Sequence, residues 1–493
     1  MAWRNFTWAT AIFVFSIVLR LWNLNTAGRT ADEHALLAKG YNFAELFRKG
    51  DFSNRYWYES PDHPPLSHYI YGSVAAVDMV RWDELAKPSY PYATGDPVFT
   101  YDLTYSRLVS VLATSITVLL VFWLALKYFS FFTAVASALV LAMIPHLLGY
   151  SQLVAHENLV ILFFTATAFA YLNYFVKPTK LNIVLSGILT GLLLEIKQSN
   201  ILVFLLLFGG CVIWKRFNIR QIGLIGLIAV LTFFVLWPMP WLHVREFISY
   251  NYDFWFKDGG RTPTVLFGRT MGAPFIFYGV AFLVTTPLLV LLLTFKGLLI
   301  KKNKTLWFVT LWFLVPFGLS FFHHRQHMVR YIIQFYSPLA ILAGISLESL
   351  KYRRILLGVL TVYMLFILTK ISPFYTNYFN ELVGGINTVY SHRLFLLGEW
   401  GEGLRNPGLY LERNAPDKSL VGLALNPGDN LLYKSPNLKY EKFDPARKYD
   451  FVVVNYFNVI RMGFDESILD KDYDVVYREK ADGADLARVY QRK

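Results

Sequence analysis

Long apolar runs separated by short polar breaks dominate this chain. They lie at about 8–24, 105–126, 131–148, 157–176, 181–196, 199–214, 221–242, 275–295, 305–322, 332–349 and 355–372. Runs of this length match helices crossing a hydrocarbon layer of ~30 Å. Four polar stretches stand apart from the runs: 25–104, 243–274, 323–331 and everything from 373 onward. From Asp32 to Lys49, Leu36, Phe43 and Phe47 recur at helical spacing beside Gly40, which predicts an amphipathic helix. Pro64 and Pro65 open a second helix, from Leu66 to about Trp82, whose Tyr69, Tyr71 and Trp82 suit the headgroup level. Residues 83–100, with Pro88, Pro91, Gly95 and Pro97, read as irregular loop. Past 373 the pattern changes. Val421–Leu425 and Phe451–Val454 suit buried strands, and Asp474–Tyr477 with Ala487–Tyr490 suits a closing β pair. The pattern predicts an α-helical polytopic membrane protein of about 11 transmembrane helices. It carries a large first polar loop (25–104) with amphipathic helices and a small C-terminal α/β domain, divided as 1–372 and 373–493.

Composition agrees. Of 493 residues, 55% are hydrophobic and only 16% charged, against roughly 25% charged in soluble domains. A net charge of +13 raises a nucleic-acid reading, which the distribution of charge removes. Alternate breaks between the runs hold 14 Lys and Arg, from Arg4 and Lys127 to Arg353 and Arg354, with no Asp or Glu among them. The remaining 33 basic residues balance 34 acidic ones. The excess is therefore the positive-inside pattern of a protein whose partner is the lipid bilayer. It places the N-terminus in the cytoplasm and loop 25–104 and the tail outside, in a plasma membrane. Residues 8–24 read as a retained span, because no small-x-small cleavage site follows. The lone Cys211 lies inside a run, so no intramolecular disulfide forms.

The polar stretches hold the candidate chemistry. In Thr30-Ala31-Asp32-Glu33 the Thr-x-x-Glu spacing is a capping box, and acidic residues favour a helix N-terminus. Helix capping alone explains these residues; a carboxylate base is the other reading. Asp62-His63-Pro64-Pro65-Leu66 either starts a helix or presents two polar side chains at its mouth. As metal ligands Asp62 and His63 lack tight spacing, so a divalent metal is only weakly indicated and no cofactor is certain. His156 and Glu157 begin the run at 157–176 on the outer side. Lys197 lies beside Glu195 between two short runs, where it is costly unless paired or bound to phosphate. His323-His324-Arg325-Gln326-His327 and Arg330 place cations on the outer side, which otherwise lacks them in short loops; headgroup anchoring and phosphate contact both fit.

Four local patterns resemble the GT-C glycosyltransferases that use polyprenyl-phosphate sugars, typified by protein O-mannosyltransferases and aminoarabinose transferases. They are the acidic pair Asp32-Glu33 after the first run, Asp62-His63-Pro64-Pro65, and Arg330-Tyr331 ahead of Ser337-Pro338-Leu339. The fourth is Tyr378-Phe379-Asn380…Gly384-Gly385 followed by Trp400-Gly401-Glu402-Gly403-Leu404. The resemblance covers the layout of residues 8–410. It implies transfer of a sugar from a polyprenyl-phosphate donor to an unidentified hydroxyl acceptor on the extracytoplasmic face. It implies Asp32 as the base with Glu33 in support, and His63, Lys197, Arg325 and Arg330 around the donor phosphate. Asp62, His156, Glu157 and His324 would line the substrate cavity. In relatives an Asp often stands near His156-Glu157, so that position departs from the pattern. A polytopic transporter or lipid flippase, or a non-catalytic membrane scaffold, also accounts for the spans. A transporter predicts repeated halves with broken midplane helices, and either alternative tolerates loss of Asp32.

Overall fold

The apolar runs fold as helices, and at the two sharpest bends within a run a proline stands at the break. The computed structural model describes residues 2–54, 56–59, 63–78, 103–257, 263–272, 275–321, 329–398, 400–425 and 432–493. The helices are α1 (Ala2–Leu21), α2 (Ala31–Lys49), α3 (Tyr56–Glu59), α4 (Leu66–Asp78), α5 (Thr104–Tyr128), α6 (Phe131–Met143), α7 (Pro145–Ser151) and α8 (His156–Val176). There follow α9 (Lys180–Leu194), α10 (Val203–Trp214), α11 (Ile219–Leu236), α12 (Met239–Leu242) and α13 (Val244–Phe256). After the hairpin β1 (Pro263–Leu266) and β2 (Arg269–Gly272) come α14 (Phe277–Thr285), α15 (Leu288–Leu299), α16 (Lys304–Leu314), α17 (Tyr336–Glu348) and α18 (Arg353–Ile371). Among the described residues five helices are long and apolar enough to cross a membrane, or seven if each bent pair is one span.

Two predicted spans are not straight. α6 and α7 meet at 63°, and α14 and α15 at 118°. Ile144 and Thr286 stand before Pro145 and Pro287 and take extended backbone (ψ 120° and 131°), as the proline ring demands of its predecessor. The carbonyls freed at the end of α14 are recovered by one residue. Asn380 Nδ2 donates to Leu283 O and Thr286 O, both at 2.7 Å, and its backbone N–H to Val284 O at 2.8 Å. The Tyr-x-Asn pattern thus closes a helix break.

The amphipathic helix predicted from Asp32 is α2, and the helix after Pro64-Pro65 is α4, described to Asp78; the remainder to Trp82 and the predicted loop 83–100 lie outside the described residues. α2 and α4 cross backbone to backbone at Gly40 and Gly72. A Cβ on Gly40 would meet His68 O at 2.4 Å, and one on Gly72 would meet the Gly40 carbonyl carbon at 2.4 Å. Only glycine permits this approach, and it seats α4 against the middle of α2.

The tail carries α19 (Gly385–Ser391), α20 (Arg405–Asn414), β3 (Leu420–Ala424), β4 (Lys439–Lys442), β5 (Phe451–Asn455), α21 (Tyr456–Arg461), β6 (Tyr473–Ala481) and β7 (Ala484–Arg492). They form a five-stranded sheet in the order β4-β3-β5-β7-β6, with β4, β3 and β5 parallel and β7 antiparallel to both its neighbours. Alternation explains why β5 is buried throughout. Phe451 and Val453 pack with Leu411 and Val421 on one face, while Val452 and Val454 pack with Tyr449 and Tyr490 on the other. β6 and β7 are joined by Asp482-Gly483, both at positive φ (45° and 91°), the two-residue turn that matches strand twist. Asp482 also pairs with Lys370 of α18 at 3.0 Å, and Gly403 N–H donates to Ala27 O at 3.0 Å, so the tail rests on the bundle beside loop 25–104.

Candidate functional site

The site is built from two adjacent carboxylates with opposite surroundings. Glu33 is 1% exposed and all four of its lone-pair directions are used. Arg107 Nε reaches Oε1 and Arg107 NH2 reaches Oε2, both at 2.9 Å. The backbone N–H of Val154 (2.9 Å) and of Thr30 (2.9 Å) complete the set. Arg107 is equally engaged, donating to Leu24 O, Asn25 Oδ1 and Gly28 O. This pair ties α2, α5 and the turn before α8 together and leaves Glu33 no oxygen for a reaction. Glu33 thus serves the cap of α2, as the Thr-x-x-Glu spacing predicts, and anchors that helix to α5 beside Asp32. The signal was present in the sequence: Arg107 lies inside a predicted span and must find a partner.

Asp32, one residue earlier on α2, points the other way. Its side chain is 41% exposed and Oδ2 lies 2.7 Å from Arg330 NH1. The Arg330 guanidinium, 8% exposed, stacks 3.9 Å from the Trp400 ring centroid and lies 5.2 Å from that of Tyr331. Tyr331 carries Lys197 on its ring at 4.0 Å, and Lys197 Nζ lies 3.4 Å from Glu157 Oε1. Lys197 thus pairs with Glu157 and not with Glu195, whose two carboxylate oxygens have no hydrogen-bond partner among the described residues. Burial holds the Lys197 ammonium below its ordinary value, Glu157 opposes that shift, and the neighbouring Arg330 reinforces it.

The seam continues to three histidines. His156 lies 4.2 Å from His63 and 5.0 Å from His68, ring centroid to centroid, and its Nδ1 is 2.5 Å from Ser67 Oγ. His68 Nδ1 donates to Leu36 O of α2 at 3.2 Å, so α4 delivers this cluster through its crossing with α2. Among the described residues no group of three or more His, Cys, Asp or Glu is placed to hold a metal ion. Asp62, His324 and Arg325 lie outside the described residues. The structure therefore joins Asp32, Arg330, Lys197, Glu157, His156 and His63 in one line of contacts. It adds Trp400, Tyr331 and His68, which sequence reasoning did not assign.

On the far side of Arg330 a small cavity opens between α14, β1 and the segments around Asn377 and Trp400. Those two segments hold each other. Gly398 N–H donates to Asn377 Oδ1 at 2.7 Å, Thr376 Oγ1 to Glu402 Oε1 at 2.8 Å, and Trp400 N–H to Glu402 Oε2 at 2.9 Å. Gly401 and Gly403 sit at φ 94° and 89°, which a residue with a Cβ rarely adopts. The arrangement places one accessible carboxylate, the buried Arg330, the part-buried Lys197 and a cavity of mixed lining side by side at one end of an apolar bundle. Chemically that suits an anionic leaving group and a hydroxyl nucleophile.

Residues 10–255 match the family model of dolichyl-phosphate-mannose-protein mannosyltransferases. The fold is similar to that of ArnT from Cupriavidus metallidurans in the apo state, with TM-score 0.54, 13% identity and 98% of each chain covered. It is similar also to the same protein bound to undecaprenyl phosphate, with TM-score 0.52, 13% identity and again 98% of each chain. No curated protein sequence matches the chain.

Proposed function

Because the chain belongs to the GT-C superfamily of glycosyltransferases and is embedded in the membrane, we propose that it moves a sugar from a polyprenyl-phosphate donor to a hydroxyl acceptor on the extracytoplasmic face. The observation that carries this reading is Asp32 half-exposed against Arg330, with Lys197 and Glu157 one aromatic ring away. ArnT, whose fold is similar, binds undecaprenyl phosphate. The bundle to residue 372 would hold the lipid, and the sheet domain from 373 would roof the sugar.

The chemistry follows from the charges. The acceptor oxygen attacks the sugar C1 as its proton passes to the Asp32 carboxylate. The C1–O bond to phosphate breaks, and its electron pair stays on the phosphate oxygen. Configuration at C1 inverts. Before donor arrives, Arg330 is held by Asp32. A phosphate is the stronger partner for a guanidinium, so donor binding draws Arg330 away and frees Asp32 as base. Lys197 meets the same phosphate from the opposite side of Tyr331, and His63 closes the seam. A leaving phosphate needs little protonation, so one carboxylate suffices, unlike the pair used in glycoside hydrolysis.

Deletion of the gene followed by mass analysis of cell-envelope glycoconjugates identifies the acceptor as the species that loses a sugar. Complementation with the native chain restores it, and complementation with Asp32→Asn, at equal membrane abundance, does not. Full restoration by Asp32→Asn would refute the assignment.

A further inference from the structure

We propose that Glu157 is a positioning residue for product release. Through Lys197 it keeps the site from holding the doubly charged lipid phosphate left after transfer more tightly than the singly charged donor; this rests on the donor reading above.

The resting charge balance leads there. Arg330 is paired with Asp32 and Lys197 with Glu157, and the Tyr331 ring lies against both cations. Lys197 is acted on by Glu157, Arg330 and Asp32 together, so the four groups form one unit whose charges sum to zero. Each cation therefore meets an incoming phosphate with a carboxylate already on it. The two pairs differ in tightness. Asp32 Oδ2 lies 2.7 Å from Arg330 NH1, whereas Glu157 Oε1 lies 3.4 Å from Lys197 Nζ, beyond the ~2.7–2.9 Å of a firm charge-assisted hydrogen bond. A loose pair exchanges partners easily. It is also nearly dry, with side chains 13% and 6% exposed, and with so little water a fixed charge acts strongly on its neighbours. Scaffolding alone does not explain the pairing. Glu195 stands two positions from Lys197, and neither of its carboxylate oxygens has a hydrogen-bond partner among the described residues.

Transfer changes the balance. The donor phosphate is a diester with a single negative charge. When the C1–O bond breaks, its electron pair stays on the phosphate oxygen while the acceptor's proton passes to Asp32, so the total charge is unchanged. Asp32 then gives that proton to water. The site now holds both carboxylates and a phosphate monoester carrying about −1.5 to −2 at pH 7, more negative charge than it held with donor. Asp32 regains Arg330, Glu157 regains Lys197, and the lipid phosphate leaves. Asp32 is already engaged as the base. Glu157 takes no part in making or breaking bonds, which leaves release as the step its charge serves.

The test uses the full chain in lipid nanodiscs. Affinity is measured for two sugar-free probes, undecaprenyl phosphate (a monoester) and undecaprenyl methyl phosphate (a diester). The native chain should bind the two within about threefold of each other. Glu157→Gln should favour the monoester by about tenfold, a difference worth about 1.4 kcal/mol, with the gain appearing as slower dissociation. Glu157→Asp keeps the charge and should return the ratio toward the native value. A merely structural role would move both affinities alike and leave their ratio unchanged. The proposal is overturned if Glu157→Gln binds the two probes in the native ratio. It is overturned equally if the native chain prefers the monoester by about tenfold or more, a result that stands even if neither variant folds. Failure of the native chain to bind either probe would instead overturn the donor reading itself.

Discussion

Asp32 and Glu33 are consecutive residues on the same helical turn, each facing an arginine from a distant part of the chain. One pair is sealed: Glu33 and Arg107 are 1% and 2% exposed, and every oxygen of the carboxylate is occupied. The other is open: Asp32 is 41% exposed, shares one hydrogen bond with Arg330, and borders a seam of further cations. The difference separates holding from reacting. A buried, saturated pair contributes mainly by being costly to break. An exposed carboxylate beside a cation with an unused N–H retains the freedom to exchange partners when a phosphate arrives.

The comparison can be broken in order of expected effect. Asp32→Asn should lower sugar transfer by about 10²–10⁴-fold with the thermal unfolding midpoint unchanged; a matching loss of stability would show that both carboxylates are structural. Glu33→Gln should do the reverse and destabilise the fold by about 3–5 kcal/mol, since it strands the Arg107 charge, read as loss of folded protein in detergent. Arg330→Lys keeps the charge but loses the planar stack on Trp400 and the forked geometry. Donor affinity should fall roughly tenfold to a hundredfold, whereas Asp32→Asn, which removes the partner that competes for Arg330, should raise it. Gly72→Ala pushes α4 off α2 at Gly40 and should cost about 1–3 kcal/mol, with transfer reduced because the histidine cluster shifts against Asp32. Smallest is a pH effect at Lys197. Burial lowers its proton affinity, so as pH rises the ammonium is lost earlier than from an ordinary lysine, and donor affinity declines in the same range. Lys197→Arg keeps its charge and should move that alkaline decline to higher pH; an unmoved decline would remove Lys197 from the phosphate site.

Much of the architecture was legible along the chain because its causes are local. The helix from Asp32, the opening at Pro64-Pro65, and the strands around Val421, Phe451, Asp474 and Ala487 follow from periodicity and turn residues. The bends were legible too, at Pro145 and Pro287, but straight spans were read because hydropathy ignores backbone geometry. The Trp-Gly-x-Gly pattern was recognisable, while its purpose was not. Asn377 to Gly398 and Thr376 to Glu402 are contacts between separate segments.

The sequence by itself determined that this protein is a membrane-embedded helical bundle with a polar loop and a sheet-bearing tail, and it marked the charged residues that such a setting makes expensive. Which of those charges meet was decided only in three dimensions. Arg330 lies 298 positions from Asp32 and Arg107 lies 74 from Glu33. Spacing encodes neighbours one or two helical turns apart; it carries no information on which of two distant arginines reaches which of two adjacent carboxylates. Packing of α2 against α5 on one side and against the segment at Arg330 on the other made that choice.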